Sequence, residues 1–390
     1  MSLPLAGYRV VDLSRYGPGP YCSMLLGDLG ADVIVVDDGT PVGERGRRAE
    51  PASTSDDLTK PLEFMRRNAR RIALNLKHPD GQTILQRLVS RADVLVESYR
   101  PGVAERLGLG YDALSAQNPR LVYCSISGYG QQGPYRDRQG HDINYLALGG
   151  LLTLTGQPDG PPILPGTLVA DLAGGGLPAA VAILGALLGR ERTNEGRFID
   201  VSLQEGVVGL LTPMIALALA GWTTGRGSSV LSGGAPWYRT FPTSDERYVA
   251  VGAIEPWLYA ELCRRLDHPE WLGQQYDQSV WPEMAAEMAR IFARKPLQHW
   301  RESLEDAGVC VTGVLQLDEV FDDPQLARRG SFGGGEPQAI NVRALPLMSG
   351  MASTTPRPPS RPGADAGEIL GELGFSAVER QRLRTSGGVG

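Results

Sequence analysis

Residues 8–37, YRVVDLSRYGPGPYCSMLLGDLGADVIVVD, decide the fold. Tyr8 to Leu13 is a short β-rich run, SRYGPGP a turn, YCSMLLGDLG a short helix, and ADVIVVD a second, buried strand. Two apolar strands joined by a helix form a βαβ unit, which requires a parallel sheet. The connecting turn is GPGP and not GxGxxG. Pro18 and Pro20 lack the N–H groups that a pyrophosphate-binding loop offers, so an ordinary dinucleotide site is disfavoured despite the Rossmann-like start.

Working outward, the alternation continues. RIALNL reads as a strand, Pro79 to Ala92 as a helix opened by its proline, and DVLVES as another strand. YDALSAQN suggests a short helix and LVYCSIS a further strand, which predicts a doubly wound α/β large domain. Helical runs follow at Leu177 to Gly189 and Val201 to Trp222, then GRGSSVLSGGAP, whose Gly and Ser content marks a linker. Beyond it the pattern changes to a hairpin, WYRTFP and RYVAVG about the turn TSDE, and to helices near Trp257–Leu266, Pro282–Ala293 and Leu297–Ala307. A chain of 390 residues exceeds one typical core, so two domains are expected: 1–222 large, 223–235 linker, and 236–322 a smaller α+β domain.

Composition bounds the function. With 42% hydrophobic and 21% charged residues and a net charge of −6, the chain reads as globular and soluble, and a nucleic-acid partner held by a basic surface is not expected. Cys22, Cys124, Cys263 and Cys310 are scattered without metal-ligand spacing, which suits reduced thiols in the cytoplasm. The start, MSLPLAGYRVV, lacks a basic segment followed by a long apolar core, so no signal peptide is expected. Val207 to Trp222 is interrupted by Pro213 and falls short of the roughly 20 residues a bilayer needs, so no membrane partner is expected and the run reads as a core or interface helix.

Chemistry concentrates between Gly128 and Gly176. His141 is one of four histidines, Asp142 follows it, and Asp171 comes 30 residues later (171 − 141), before a glycine run and the apolar segment LPAAVAILGALLG. Two proton-transferring groups are thereby offered, with Asp171 expected at or near a helix N-terminus whose free N–H groups can hold an anion or polarise a carbonyl. Each residue also has a plainer reading: a surface histidine, an N-cap aspartate, and in Glu255 of VAVGAIEPW another cap. Arg45, Arg47, Arg48, Arg66, Arg67, Arg70 and Arg71 form a dense cluster that is either a solvated face or a seat for a ligand with several phosphates.

GHDINYLALGG, VADLAGGG and VAVGAIEPWLYAEL together resemble the family III CoA-transferase and alpha-methylacyl-CoA racemase superfamily, racemase branch. The resemblance runs from LAGYRVVDLS to GEILGELGFS. It implies a Rossmann-like large domain, a return of residues 323–390 to it with a last helix near Gly367 to Leu373, and a homodimer of interlocked chains. It also implies that His141 and Asp171 are paired acid/base residues and that Glu255, from the partner subunit, supports the histidine; Asp142 either assists or faces solvent. Arg67, Arg100 and Arg106 are implied as contacts for CoA, while Asp38 departs from the basic or polar residue common near the adenine. The implied reaction is racemisation of 2-methyl-branched acyl-CoA thioesters without metal or redox cofactor, CoA being part of the substrate. Backbone N–H groups after Asp171 are the expected enolate donors. The alternatives are CoA transfer through an anhydride on Asp171, in which relatives carry an aromatic residue at the histidine position, and a non-catalytic acyl-CoA binder.

Overall fold

The computed structural model describes residues 3–39, 60–333, 341–350 and 355–390. Contacts divide the chain into two compact units, one of residues 1–149, 167–210 and 330–390, the other of 150–166 and 211–329. The boundaries differ from those expected at 222 and 323, because residues 150–166 and 211–222 belong with the second unit and the return begins at 330. The chain changes unit at Gly149/Gly150 and at Leu210/Leu211, beside apolar helices, where no Gly/Ser-rich linker marks the crossing.

The first unit is built on a six-stranded parallel sheet in the order β3-β2-β1-β4-β5-β6. The strands are β1 (Arg9–Asp12), β2 (Asp32–Asp38), β3 (Ala69–Leu74), β4 (Val94–Glu97), β5 (Val122–Ser127) and β6 (Phe198–Ser202). Helix α1 (Pro18–Asp28) connects β1 to β2, as the opening βαβ reading requires. Helix α2 (Pro79–Val89) connects β3 to β4, and begins at a proline as expected. The strands β3, β4 and β5 are buried along their whole length, β3 including Arg70 and Arg71, as strands covered on both faces are.

Strand β6 corrects the sequence reading, which placed Val201 in a helical run. FIDVS pairs with β5 at the sheet edge, and its first three residues are only partly covered, so its pattern is too short and too polar to announce a strand. Three helices then shape the site: α3 (Asp142–Leu148), α4 (Val169–Thr193) and α5 (Leu203–Leu210). The tail lies back on this unit: the N–H of Asn68 donates to the Arg357 carbonyl at 2.9 Å, and the helix Ala366–Glu372 buries Ile369 and Leu370 in the core.

The second unit carries the antiparallel sheet β7 (Tyr238–Pro242), β8 (Tyr248–Gly252) and β9 (Val311–Gly313). The expected hairpin is β7–β8, and β9 is a third strand the sequence reading missed. Its core gathers Trp237, Phe241, Trp281, Phe292 and Trp300 beneath the helices Pro256–Arg265 and Trp281–Phe292.

Candidate active site

In an open parallel sheet, ligands bind outside the carboxyl ends of the strands where the order reverses. Here that point lies between β1 and β4, whose ends feed the turn Leu13–Gly17 and the turn Ser98–Gly102. A dinucleotide-binding fold would set a pyrophosphate on the N-terminus of α1. The structure sets a carboxylate there: a Cβ built on Gly17 would lie 2.4 Å from Asp171 Oδ2. Pro18 and Pro20 occupy the first turn of α1, in keeping with the absence of a phosphate cradle.

Asp171 lies in the first turn of α4, near the helix N-terminus as expected, and is not its N-cap. The helix starts at Val169, and the N–H of Leu172 already donates to the Leu168 carbonyl at 3.0 Å. The N–H of Asp171 itself is taken by Asp142 Oδ1 at 2.9 Å. The backbone donors expected for an enolate just after Asp171 are therefore committed inside the helix. The glycines that follow form a π-helical turn, Leu172–Gly176, within it. Each glycine normally costs a helix about 1 kcal/mol, but here small size permits close approach. A Cβ on Gly176 would meet the Pro18 carbonyl at 2.6 Å, and one on Gly206 of α5 would meet the Gly174 carbonyl at 1.7 Å. Backbone-to-backbone packing against α1 and α5 thus holds the turn that aims Asp171.

His141 is the N-cap of α3, its N–H donating to the Asn144 side chain at 3.0 Å, and the residue is exposed at the start of that helix. Asp142 is 8% exposed. Because Asp142 clamps the Asp171 main chain, its neighbour His141 is brought within electrostatic reach of the Asp171 carboxyl. Burial pushes the Asp171 carboxyl up to about 6, repulsion from Asp142 adds to this, and His141 opposes both. A carboxyl poised near neutrality can both hold and release a proton. Tyr145, missed by the sequence reading though it lies within GHDINY, backs the site. Its hydroxyl donates to the Gly140 carbonyl at 2.6 Å and its ring leaves no room for a side chain on Gly128 or Gly140.

Gly17 was also missed, its only signal being the GPGP turn. At φ +63° it occupies the left-handed region, and its missing side chain leaves space for the carboxylate. Gly17→Ala is expected to rotate Asp171 away and lower turnover about 100-fold, while melting falls only by the few degrees that a strained alanine implies. Unchanged turnover in a folded variant would remove Gly17 from the site.

The arginines divide in two. Arg66, Arg67, Arg70 and Arg71 are buried and spent on carboxylates: Arg66 on Asp12 at 2.7 Å, Arg70 on Asp32 at 2.7 Å, and Arg71 on Asp37 at 2.6 Å. Arg67, expected at CoA, is 1% exposed and grips Asp28 through Nε at 3.0 Å and Nη2 at 2.5 Å, while its Nη1 has no partner among the described residues. Such pairs stitch the start of β3 to its neighbours. Arg45, Arg47 and Arg48 lie outside the described residues. Arg100 and Arg106, by contrast, are exposed and free of carboxylates among the described residues. They flank the turn after β4, and Gly102 has both Arg106 Nη1 (3.3 Å from its built Cβ) and Arg136 Nη2 (3.6 Å) over it. Arg136 therefore joins Arg106 at this turn, a neighbour that distance in sequence concealed. Asp38 pairs with Arg15 at 2.7 Å.

Glu255 belongs to the second unit, where it occupies the N-cap position of the helix Pro256–Arg265. Its side chain is exposed and makes no capping hydrogen bond. The plain capping role is thus not what its carboxylate performs.

A parallel sheet in Rossmann order thus carries a half-buried aspartate, Asp171, at its switch point, and the exposed Arg100 and Arg106 follow the next strand. The chain belongs to CoA-transferase family III, whose family model matches residues 5–366. It is 39% identical to the alpha-methylacyl-CoA racemase of Homo sapiens over 390 residues, covering 98% of this chain and 97% of that one. It is also 33% identical to the succinyl-CoA:glutarate CoA-transferase of Homo sapiens, covering 95% of this chain and 86% of that one. Among solved structures, a CAIB/BAIF family protein from Brucella suis superposes with a TM-score of 0.80 at 28% identity, over 96% of this chain and all of that one (100%).

Proposed function

We propose that the protein interconverts the two configurations of 2-methyl-branched acyl-CoA thioesters by moving a proton at the α-carbon. The observation that carries this reading is the joining of His141 to Asp171 through the Asp142 clamp, which sets an imidazole and a near-neutral carboxyl at one switch point. The thioester carbonyl acidifies the α-C–H. One of the two groups removes that proton as base, leaving an enolate, and the conjugate acid of the other returns a proton to the opposite face. For the enantiomer deprotonated by Asp171, the carboxyl must be ionised, so the rate is expected to fall as pH drops through about 6. Arg100, Arg106 and Arg136 would receive the CoA phosphates, with Glu255 steadying the imidazolium from the partner subunit.

Self-association has support in an apolar stripe on α4, where Leu177, Val181 and Leu188 are 47%, 61% and 64% exposed at one-face spacing. The helix is long and apolar enough by composition to cross a membrane, but with 44% of its apolar window buried inside the unit we read it as a core helix with one face given to a second copy. No metal or redox cofactor enters the proposed chemistry, and we place the enzyme in the cytoplasm.

The second reading is CoA transfer, in which Asp171 attacks the thioester carbonyl, expels CoA thiolate and forms a mixed anhydride. The thiolate then attacks the aspartyl carbonyl, releasing the donor acid and leaving CoA on Asp171 as a thioester, which an acceptor carboxylate attacks to form a second anhydride whose acyl group the freed CoA thiolate takes. It is favoured by the transferase relatives and leaves His141 idle. The separating experiment is incubation with a 2-methylacyl-CoA in deuterated water. Deuterium at the α-carbon with loss of optical purity, in the absence of any acceptor acid, is expected. A strict need for an acceptor without exchange would overturn the racemase reading.

A further inference from the structure

Glu97 ends β4 directly below the turn that carries Arg100, and it is 3% exposed. A buried carboxyl usually has a cation beside it. The groups facing this one are Ser125, Tyr123 and Cys124 of β5, Asp200 of β6, Glu105 of the helix Val103–Arg106, and Tyr99, with no arginine or lysine among them. Burial accordingly pushes its carboxyl up to about 7, Glu105 and Asp200 adding to the effect and hydrogen bonds from Ser125 and Tyr99 opposing it. An ion pair is therefore not what keeps a carboxyl here.

Its hydrogen bonds show what it holds. Oε2 accepts the Tyr99 N–H at 2.7 Å, fixing the residue immediately before Arg100. Sheet register aligns Glu97 with Ser125 and Ser125 with Asp200, in one row at the carboxyl ends of three strands. Ser125 Oγ accepts Gln131 Nε2 at 2.8 Å, and the Gln131 N–H donates to Asp200 Oδ2 at 2.9 Å. The row thus anchors both the turn after β4 and the loop after β5, and the second of these leads to Arg136.

We propose that Glu97 is the positioning residue for the anion-binding side of the site, setting the Arg100 turn through the Tyr99 N–H and the Arg136 loop through Ser125 and Gln131. The inference rests on the reading above that these arginines receive the phosphates of CoA. Glu97 touches no reacting atom, so its loss acts on ligand affinity and not on proton transfer.

The test compares wild type with Glu97→Ala and Glu97→Gln, using free CoA in calorimetry and 2-methylacyl-CoA in the exchange assay. Glutamine retains shape and an acceptor oxygen for Tyr99, whereas alanine leaves that N–H buried and unpaired. Glu97→Ala is expected to weaken CoA and raise KM about 10-fold with kcat within about 2-fold, and Glu97→Gln to stay within about 3-fold of wild type throughout. Should the alanine variant not fold, Gln131→Ala tests the second branch, with a rise in KM at unchanged kcat again expected. Wild-type CoA affinity in the folded variant, or a loss confined to kcat, overturns the proposal while leaving the arginine reading standing. Failure of wild type itself to bind CoA overturns both.

Discussion

His141→Ala is expected to abolish inversion at the α-carbon, lowering racemisation about 1,000-fold or more, while CoA binding changes by less than about 3-fold and thermal stability is unchanged. The imidazole sits at the exposed start of α3, so its removal costs the fold little. The α3 start keeps its cap contact because that bond joins the main chain of residue 141 to Asn144. What disappears is one of two proton carriers, and a 1,1-proton transfer between opposite faces needs both. Single-turnover incubation in deuterated water sharpens the test. With Asp171 intact, the enantiomer it serves should still exchange slowly with retention, while inversion vanishes. If the variant inverts at the wild-type rate, the histidine carries no proton and the chemistry belongs to Asp171 alone, as CoA transfer would have it.

The parts of this site differ in how far the sequence discloses them, for physical reasons. The opening βαβ unit is legible because buried parallel strands are short apolar runs, and GPGP excludes a phosphate cradle because proline has no N–H. His141, Asp142 and Asp171 stand out as residue types, yet their coupling is a side chain to main chain bond across 29 residues that no local pattern encodes. The glycines after Asp171 fall outside the expected helical run, Leu177 to Gly189, since helix propensity disfavours them, while tertiary packing uses their small size to keep the helix running. Arginine clustering misleads in the same way. Arg66, Arg67, Arg70 and Arg71 are dense in sequence because one strand edge meets many carboxylates, whereas Arg106 and Arg136 meet only in space. Density of charge along the chain therefore marked the internal ion pairs, and the free guanidiniums were the scattered ones.

Asp171→Asn is expected to inactivate the protein and stabilise it together, a pairing that separates an active-site carboxyl from a structural one. The folded carboxyl sits at about 6 against an ordinary value of 3.8, so between these values the folded chain binds a proton that the unfolded chain has released. Stability from this group is thus fully present below about 3.8 and is lost as pH rises through about 6; above that, the folded state bears a constant penalty. A shift of about 2 units corresponds to at most about 3 kcal/mol, and partial access to water brings the expected figure to about 1–3 kcal/mol. Asparagine keeps the shape and, because Asp142 bonds the main chain of residue 171, keeps the clamp as well. Melting is therefore expected to rise by a few degrees at pH 8, with about half that gain at pH 5, while exchange falls by about 1,000-fold or more. A variant that melts below wild type at pH 8 would mean the carboxylate is held by favourable contacts, and a near-neutral acid at the switch point would have to be given up.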